Sequence, residues 1–387
     1  MTEKAKPVAF YLPQYHAIPE NDEWWGKGFT DWVNVRRPHP LFPGHNQPRV
    51  PLHDNYYDLS RIDAIHWQVE LARSYGIYGF CHYHYWFDGK QLLETPTNLF
   101  LENKHLDTRF CLTWANETWS KRWDGMDHHI LQLQTHTPCK EAWGRHFDYL
   151  IKAWTDERAI RINGKPLFII YRPHKIPEIG NMFDYWQTRA RAYGLEGVYF
   201  LAIKQFAISG PASLSNFDGV IHFQPFDAMH SINMSKRKPV KAINRFLNRH
   251  AKKIVEEALF HIKDNYGSPT LWDYDQVWSQ IIKNIATADA KFHAGAFIDW
   301  DNTARYGRRA TVFKGANPER FESWLRQLFR ALQDRPESQR FVFINAWNEW
   351  AEGTYLEPDT KYGYAYLEAI RNSLHAINHA DSVASRN

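Results

Sequence analysis

The sequence predicts an α/β fold, a (β/α)₈ TIM barrel that forms a single domain over residues 1–387. Three observations predict it. About eight short apolar runs recur along the chain, helical patterns separate them, and no glycine-rich phosphate turn follows the first run. Such a turn would be usual in a doubly wound open sheet, the main alternative. The length suits one barrel with insertions, and 44% apolar residues can fill a large core.

Each apolar run is nearly continuous, as expected of parallel strands that are buried on both faces. In chain order the predicted strands are PVAFYLPQYH (7–16), GIYGFCHYHYW (76–86), RFCLTWANE (109–117), KPLFIIYRP (165–173), GVYFLAIKQ (197–205), FDGVIHFQPF (217–226), HAGAFIDWDN (293–302) and RFVFINAWNEW (340–350).

Helical periodicity falls between these runs and after the last one. The predicted helices cover residues 62–76, 139–154, 184–194, 320–332 and 363–377.

Two segments exceed the barrel repeat. A long first loop spans residues 17–60, and an insertion at about 227–292 separates strands six and seven. Within the insertion, residues 236–263 carry nine Lys or Arg against two Glu, with apolar residues at helical spacing. This predicted basic helix has two interpretations: a solvated face, or a surface for anionic polysaccharide, lipid-linked sugar or membrane phosphate.

Composition limits the class of protein. The net charge of +4 does not indicate a polyanion partner, and with only one basic helix we expect no nucleic-acid binding. Three cysteines without a CxxC pair argue against a disulfide framework. The N-terminus lacks an apolar core of signal length, so we expect a cytoplasmic location, or a periplasmic or secreted one if a signal has been removed. No run approaches the roughly 20 apolar residues of a membrane helix.

Polar and aromatic side chains cluster where the predicted strands end. In a barrel the C-terminal strand ends meet at one rim, which carries the active site. Amides, imidazoles and carboxylates there would hydrogen-bond sugar hydroxyls, and the aromatic rings would stack on sugar faces. The candidates for substrate contact are His82, His84, Trp114, Asn116, Glu117, Gln224, Asp299, Asp301 and Asn348 and, with less support from strand alternation, Tyr11, Tyr15, Tyr83, Tyr85, Trp86 and Trp347.

The last run ends in FINAWNEWAEG (343–353), which places Glu349 and Glu352 three residues apart among tryptophans. Glycoside hydrolysis needs two carboxyl groups, one of them able to give a proton. Neighbouring like charge and apolar indoles would raise the pKa of such an acid. The other interpretation is structural, with either glutamate capping the next segment or pairing with a lysine.

Other chemistries have weaker support. His82 and His84 share one face of a strand and could bind zinc with an acid, but there is no HExxH motif and no cysteine-rich set. Neither a GxSxG elbow, a Walker A loop nor a dinucleotide fingerprint occurs. We therefore expect neither a metal nor a cofactor.

Four segments resemble the WbsX-type proteins over nearly the whole chain: residues 9–35, 78–87, 112–125 and 345–359. Members of that family often accompany polysaccharide and O-antigen synthesis loci and are called glycosyltransferases or glycoside hydrolases. They are similar in turn to glycoside hydrolase family 99, the endo-α-mannosidase family. This more distant resemblance rests on the barrel and the NEWxEGT segment, while the aromatic loop around Trp24 and Trp25 departs from it.

The resemblance implies a (β/α)₈ barrel and retaining catalysis. By this match Glu349 would be the base that deprotonates the sugar's own 2-hydroxyl, giving a 1,2-anhydro intermediate. Glu352 would protonate the leaving oxygen and then activate water. The expected function is an endo-acting hydrolase or transglycosylase on bacterial polysaccharide. A nucleotide-sugar transferase, for which DWD (299–301) has the DxD spelling, and a non-catalytic glycan-binding protein are the alternatives.

Overall fold

Eight parallel strands form a closed barrel in the computed structural model, which describes residues 5–121, 126–205, 214–236 and 267–384. The strands are β1 (Lys6–Tyr11), β2 (Gly79–Phe87), β3 (Arg109–Trp114), β4 (Lys165–Ile170), β5 (Tyr199–Lys204), β6 (Gly219–His222), β7 (Phe292–Phe297) and β8 (Phe341–Asn345).

Every strand pairs with the next one along the chain, and β1 closes the barrel by pairing with both β2 and β8. The registers Val8 opposite Gly79 and Val8 opposite Phe343 fix this closure. The predicted barrel is confirmed, with all eight strands inside the predicted runs or within a residue or two of them. Most strands end before their runs do, because the polar residues at the run ends lie in the loops of the rim.

Helices surround the barrel and also form part of its loops. They are α1 (Pro19–Trp25), α2 (Asp31–Arg36), α3 (Ile62–Ser74), α4 (Thr95–Glu102), α5 (Lys140–Trp154), α6 (Ile179–Ala192), α7 (Phe226–Lys236), α8 (Tyr274–Ala286), α9 (Thr303–Tyr306), α10 (Pro318–Leu332) and α11 (Ala365–Ala384).

Helix α10 illustrates how the sequence specifies this outer layer. Asn317 caps it by accepting a hydrogen bond from the Arg320 amide at 2.8 Å, and Pro318 occupies its first turn. Phe321, Leu325 and Leu328 then recur at helical spacing and are fully buried. The apolar face of α10 therefore covers the barrel while its charged face meets solvent.

Strand alternation divides the side chains between two cores. Phe10 points inward, where its ring lies 5.6 Å from Tyr83 and 5.1 Å from Phe223. The next residue, Tyr11, points outward and donates a hydrogen bond to Gln68 on α3 at 2.7 Å. This two-residue period decides which candidate residues can reach the rim.

The two long segments contribute differently. The first loop contains α1 and α2 and crosses the rim. In the second, α7 and α8 contact each other, but residues 237–266 and with them nearly all of the predicted basic helix lie outside the described residues. Among the described helices, none is long and apolar enough to cross a membrane.

Candidate active site

An open pocket of about 550 Å³ lies at the C-terminal ends of the barrel strands. Its floor is formed by side chains from the strands, including Tyr83 and Tyr171. One wall comes from the first loop, where Trp25 and Phe29 lie, and another from the residues after β3, including Trp119. A concave site with aromatic walls and a few polar groups is the usual form of a small-molecule or sugar site.

Both predicted catalytic glutamates line this pocket. Glu349 lies in the loop after β8 and is buried, whereas the Glu352 side chain keeps 21% of its surface exposed. Gly353 ends the turn with φ +64°, and a Cβ there would lie 2.9 Å from the Asp301 carbonyl oxygen. The Asp301 amide also donates to the Glu352 carbonyl at 2.8 Å. The turn at residues 349–353, which is the proposed catalytic turn, is therefore packed tightly against the loop after β7.

Arg305 on α9 connects the two glutamates. Its Nη1 lies 3.0 Å from Glu352 Oε1, and its Nη2 lies 3.2 Å from Glu349 Oε2. The same Nη2 donates to Asp31 Oδ2 on α2 at 3.1 Å. One guanidinium thus holds three carboxylates from two separate loops, a geometry that the planar fork of arginine favours.

The charges of this cluster favour retention of a proton. Three carboxylates against one guanidinium leave an excess of two negative charges when all are ionised. Burial, and then Glu352, raise the pKa of Glu349 well above its usual range, while Arg305 opposes the shift. Burial also raises the pKa of Glu352, again against Arg305. A raised pKa is a property of carboxyl groups that act as general acids.

Two predicted residues support the catalytic turn from behind. The Asn348 side chain accepts from the Leu12 amide at 2.7 Å and donates to the Leu12 carbonyl at 3.0 Å. The Tyr15 hydroxyl donates to the Asn348 carbonyl at 2.7 Å and accepts from the Trp350 amide at 3.2 Å. Both side chains are fully buried and lie outside the pocket lining, so they fix the backbone on either side of Glu349.

A second charged cluster lies in the same pocket. Glu117 forms an ion pair with Arg172, whose Nε lies 2.9 Å from the carboxylate oxygen Oε1. Lys175 Nζ lies 4.0 Å from the same oxygen. Asn116 supports this cluster without lining the pocket, since its Oδ1 accepts from the Arg172 amide at 2.7 Å. Of the predicted sugar-contact residues, Glu117, Tyr83 and Tyr85 line the pocket together with the glutamate pair.

The histidines and tryptophans of β2 and β3 point the other way. His84 Nε2 lies 2.9 Å from His146 Nε2 on α5, and Trp86 stacks on the same imidazole at 4.7 Å. The Trp114 indole donates to the Trp86 carbonyl at 3.1 Å. His82 packs against Tyr11 at 4.5 Å, and burial lowers its pKa to about 3. Strand alternation places the five predicted residues between the barrel and the helices, away from the pocket: Tyr11, His82, His84, Trp86 and Trp114.

The residues predicted after β6 and β7 also lie outside the pocket lining. Arg49 from the first loop donates to Asp299 at 2.8 Å, while Asp301 accepts from His45 at 2.8 Å and Gln47 at 2.7 Å. Trp300 between the two aspartates lines the pocket instead.

The last two candidates, Gln224 after β6 and Trp347 after β8, have structural contacts. Gln224 Oε1 accepts from the Ala228 amide of α7 at 3.2 Å, and the Trp347 ring packs on Phe80 at 5.0 Å.

Asp31 and Arg305 belong to the site but were not among the predicted site residues. Asp31 lies in the segment 9–35 that carries the family resemblance, which is the signal that could have found it. Arg305 belongs to no motif and lies eight residues after β7, so the sequence offered no sign of its position. Among the described residues, no group of three or more His, Cys, Asp or Glu could hold a metal ion.

The closed parallel barrel, with two neighbouring glutamates in a rim pocket, defines a protein of the (β/α)₈ barrel class. Within that class, the chain belongs to the family described as glycosyltransferase WbsX, whose model matches residues 7–370. Two proteins named WxcX and described as uncharacterized, from two strains of Xanthomonas campestris pv. campestris, are each 37% identical over 374 residues. The match covers 96% of this chain, which spans about half the length of these curated relatives.

Solved structures share the fold at low sequence identity. The GH99 endo-alpha-mannosidase from Bacteroides thetaiotaomicron superposes with a TM-score of 0.56 and 13% identity, over 97% of this chain and 98% of that one. A structure described as a glycoside hydrolase-like protein gives 0.57 at 13% identity, over 96% and 94% of the chains. At this identity the likeness establishes the fold alone.

Proposed function

We propose that this protein is a glycan-processing enzyme, a retaining, endo-acting glycoside hydrolase or transglycosylase that cleaves bacterial polysaccharide of the O-antigen type. One observation carries the proposal: Glu349 and Glu352 face one open pocket at the catalytic rim, and both have raised pKa values. Their aromatic surroundings, including Trp119 and Trp300, suit the C–H faces of sugar rings.

In the proposed mechanism the two glutamates share one proton. The enzyme reacts when that proton is on Glu352, and the Glu349 carboxylate then removes the proton of the sugar's 2-hydroxyl. That oxygen attacks the anomeric carbon while Glu352 gives its proton to the departing glycosidic oxygen. A 1,2-anhydro sugar forms, and the glycosidic bond breaks. Glu352 then takes a proton from water or from an acceptor hydroxyl, whose oxygen attacks the anomeric carbon and opens the anhydro ring. Glu349 returns to the 2-oxygen the proton that it removed in the first step. The route requires a 2-hydroxyl trans to the leaving group, as in α-mannosides and α-rhamnosides.

Arg305 fits this mechanism as a positioning residue. Since its two terminal nitrogens contact different glutamates, it sets the spacing between base and acid. Its positive charge also keeps part of the cluster ionised, so that one carboxylate can serve as base while the other remains protonated.

The family description favours one alternative, a transferase that uses a nucleotide sugar. The DWD tripeptide offers that reading little support, because Asp299 and Asp301 are buried and pair with Arg49 and His45. A diphosphate-binding metal would have to displace these partners. A non-catalytic glycan-binding protein is the other alternative, in which the glutamates would bind hydroxyls without turnover.

The test is incubation of O-antigen and capsular polysaccharides with the protein in the absence of nucleotide sugar. Shorter oligosaccharides with retained anomeric configuration would support the proposal. Activity that depends on a nucleotide sugar would instead support the transferase, and tight binding without products would support the glycan-binding protein.

A further inference from the structure

The pocket has two ends of opposite charge. The Arg305 cluster, with Asp31, Glu349 and Glu352, holds three carboxylates against one cation. The cluster after β3 and β4 holds two cations, Arg172 and Lys175, against the single carboxylate of Glu117. All seven charged side chains line one pocket, so a bound glycan would lie in a field that changes sign along its length.

Arg172 is held as a rigid donor rather than as a mobile surface charge. Its Nε pairs with Glu117, its Nη1 donates to Gln205, and its guanidinium stacks on Tyr171 at 4.4 Å. Its side chain keeps only 20% of its surface exposed. Arg172 and Lys175 both line the pocket, so their charges are accessible to a bound ligand.

Lys175 adds the second charge. Its ammonium lies 4.0 Å from the Glu117 oxygen that also accepts Arg172 Nε, so both cations border one small volume. Because one carboxylate cannot neutralise both cations, a positive charge remains unbalanced there. An anion placed between Arg172 and Lys175 would restore the balance with charge-assisted hydrogen bonds.

Two neighbouring histidines respond to this field. Burial, then Arg172 and Lys175, lower the pKa of His174. Burial lowers the pKa of His136 to about 4, against Asp88, and Lys175 adds to the shift. Both shifts fit a local excess of positive charge beside the pocket.

We infer that the enzyme prefers an acidic glycan, and that Arg172 and Lys175 bind a carboxylate or phosphate carried by a sugar unit adjoining the one bound at the glutamates. This inference rests on the proposed glycan-processing function and names its substrate class. A neutral glycan would leave the basic end without a counter-charge, whereas an acidic sugar gains a charge-assisted contact there.

The experiment measures binding by calorimetry, so that turnover is not required. The probes are oligosaccharides from acidic bacterial polysaccharides, some with uronic acids and some with sugar phosphates, each compared with its carboxyl-reduced or dephosphorylated form. We expect the acidic members to bind roughly tenfold more tightly than their neutral counterparts, the gain of about one charge-assisted contact. Equal affinity for the acidic and neutral forms would overturn the inference.

Variants locate the effect. Lys175→Gln and Arg172→Gln should each lower the ratio of acidic to neutral affinity from about ten toward one. Glu117→Gln should strengthen acidic binding, because it removes the competing carboxylate. Lys152→Gln, an exposed position on α5, is the matched control. Loss of neutral and acidic binding together, with the preference unchanged, would count against the assignment, and Lys175→Gln keeps the test valid if Arg172→Gln fails to fold.

The outcome is separable from that of the proposed function. Acidic preference without turnover would retain the inference and reject the hydrolase, while turnover of neutral glycans without preference would do the opposite. UDP is the last probe. If it binds with dependence on Arg172 and displaces the acidic oligosaccharides, the basic end serves a nucleotide diphosphate and the inference is wrong.

Discussion

At the scale of single residues, the catalytic pair depends on which carboxyl holds the proton. Glu349 and Glu352 share Arg305 and titrate as a unit, so the proton belongs to the pair as much as to either side chain. In the proposed mechanism, the burial that raises both pKa values helps the pair to keep the proton that it donates.

Glu352→Gln should lower kcat by roughly 10²–10⁴-fold on a polysaccharide substrate, because the amide cannot give or take the proton. The fold should persist, since glutamine has nearly the same shape. Steady-state kinetics with circular dichroism would measure both effects, and Glu368→Gln on the exposed face of α11 provides the control. Wild-type turnover in the Glu352 variant would remove that residue from the mechanism.

Arg305→Met should move the acidic limb of the kcat/KM–pH profile to higher pH. Arg305 lowers the pKa of both glutamates, so its loss raises them further and delays ionisation of the base. It also leaves three carboxylates without their cation, which should lower the free energy of unfolding by about 3–5 kcal/mol at neutral pH. Arg308→Met, at an exposed position three residues away, should change neither quantity. A profile that does not move would show that Arg305 is only structural.

At the scale of elements, a buried chain of hydrogen bonds ties the catalytic loop to α3 and the first loop. Glu357 accepts from Tyr57 at 2.8 Å, Gln68 at 2.7 Å and the Trp350 indole at 2.7 Å. Gln68 in turn accepts from Tyr11 on β1. Burial nevertheless raises the pKa of Glu357 to about 7, so its protonated form is the one that folding favours.

The buried Glu357 carboxyl makes the free energy of unfolding depend on pH. A carboxyl whose folded pKa is raised stabilises the fold below its unfolded pKa, and the contribution is lost as pH rises through about 7. The wild type should lose up to about 3 kcal/mol of unfolding free energy from this group across that window, from about pH 4.5 upward. Glu357→Gln should remove that slope. Urea denaturation at acidic and at alkaline pH would measure it, and parallel curves for the two proteins would contradict the assignment.

The side-chain directions on β2 show why the sequence could not specify the whole site. Residues 82–86 read His-Tyr-His-Tyr-Trp, so both faces of the strand carry amphipathic rings. Because the two faces do not differ in polarity, the pattern does not reveal which alternating set of side chains faces the pocket. Tyr83 and Tyr85 line it, whereas His82 and His84 pack against the helices.

At the scale of the whole molecule, the barrel could be predicted because its eight apolar runs are nearly continuous and helical patterns separate them. The positions of Glu349 and Glu352 at the rim could be predicted from their place after the last strand. Arg305 and Asp31 could not, because only the closure of the barrel brings α9 and α2 against the catalytic turn. The distance between such loops is a property of the closed sheet, not of any local pattern.

Residues at the N-terminal ends of the strands contribute to stability and lie far from the pocket. Gly79 at the start of β2 lies against Arg109, where a Cβ would come within 2.5 Å of the carbonyl oxygen. Gly79→Ala should therefore destabilise the fold by about 1–3 kcal/mol. The pocket lies at the opposite end of the strands, so kcat per folded molecule should not change. Thermal melts and active-site-normalised kinetics would measure this, and a selective loss of kcat would argue against such independence.

The close approach of Gly353 to Asp301 has a practical consequence for engineering. The segment that carries the two glutamates is fixed on both sides and offers no room for a larger side chain at its end. Variant libraries that probe the proposed glycan specificity should leave residues 345–359 unchanged. Diversity belongs on the facing walls, at Trp25, Phe29 and Trp119, where ring size can change without moving the acid or the base.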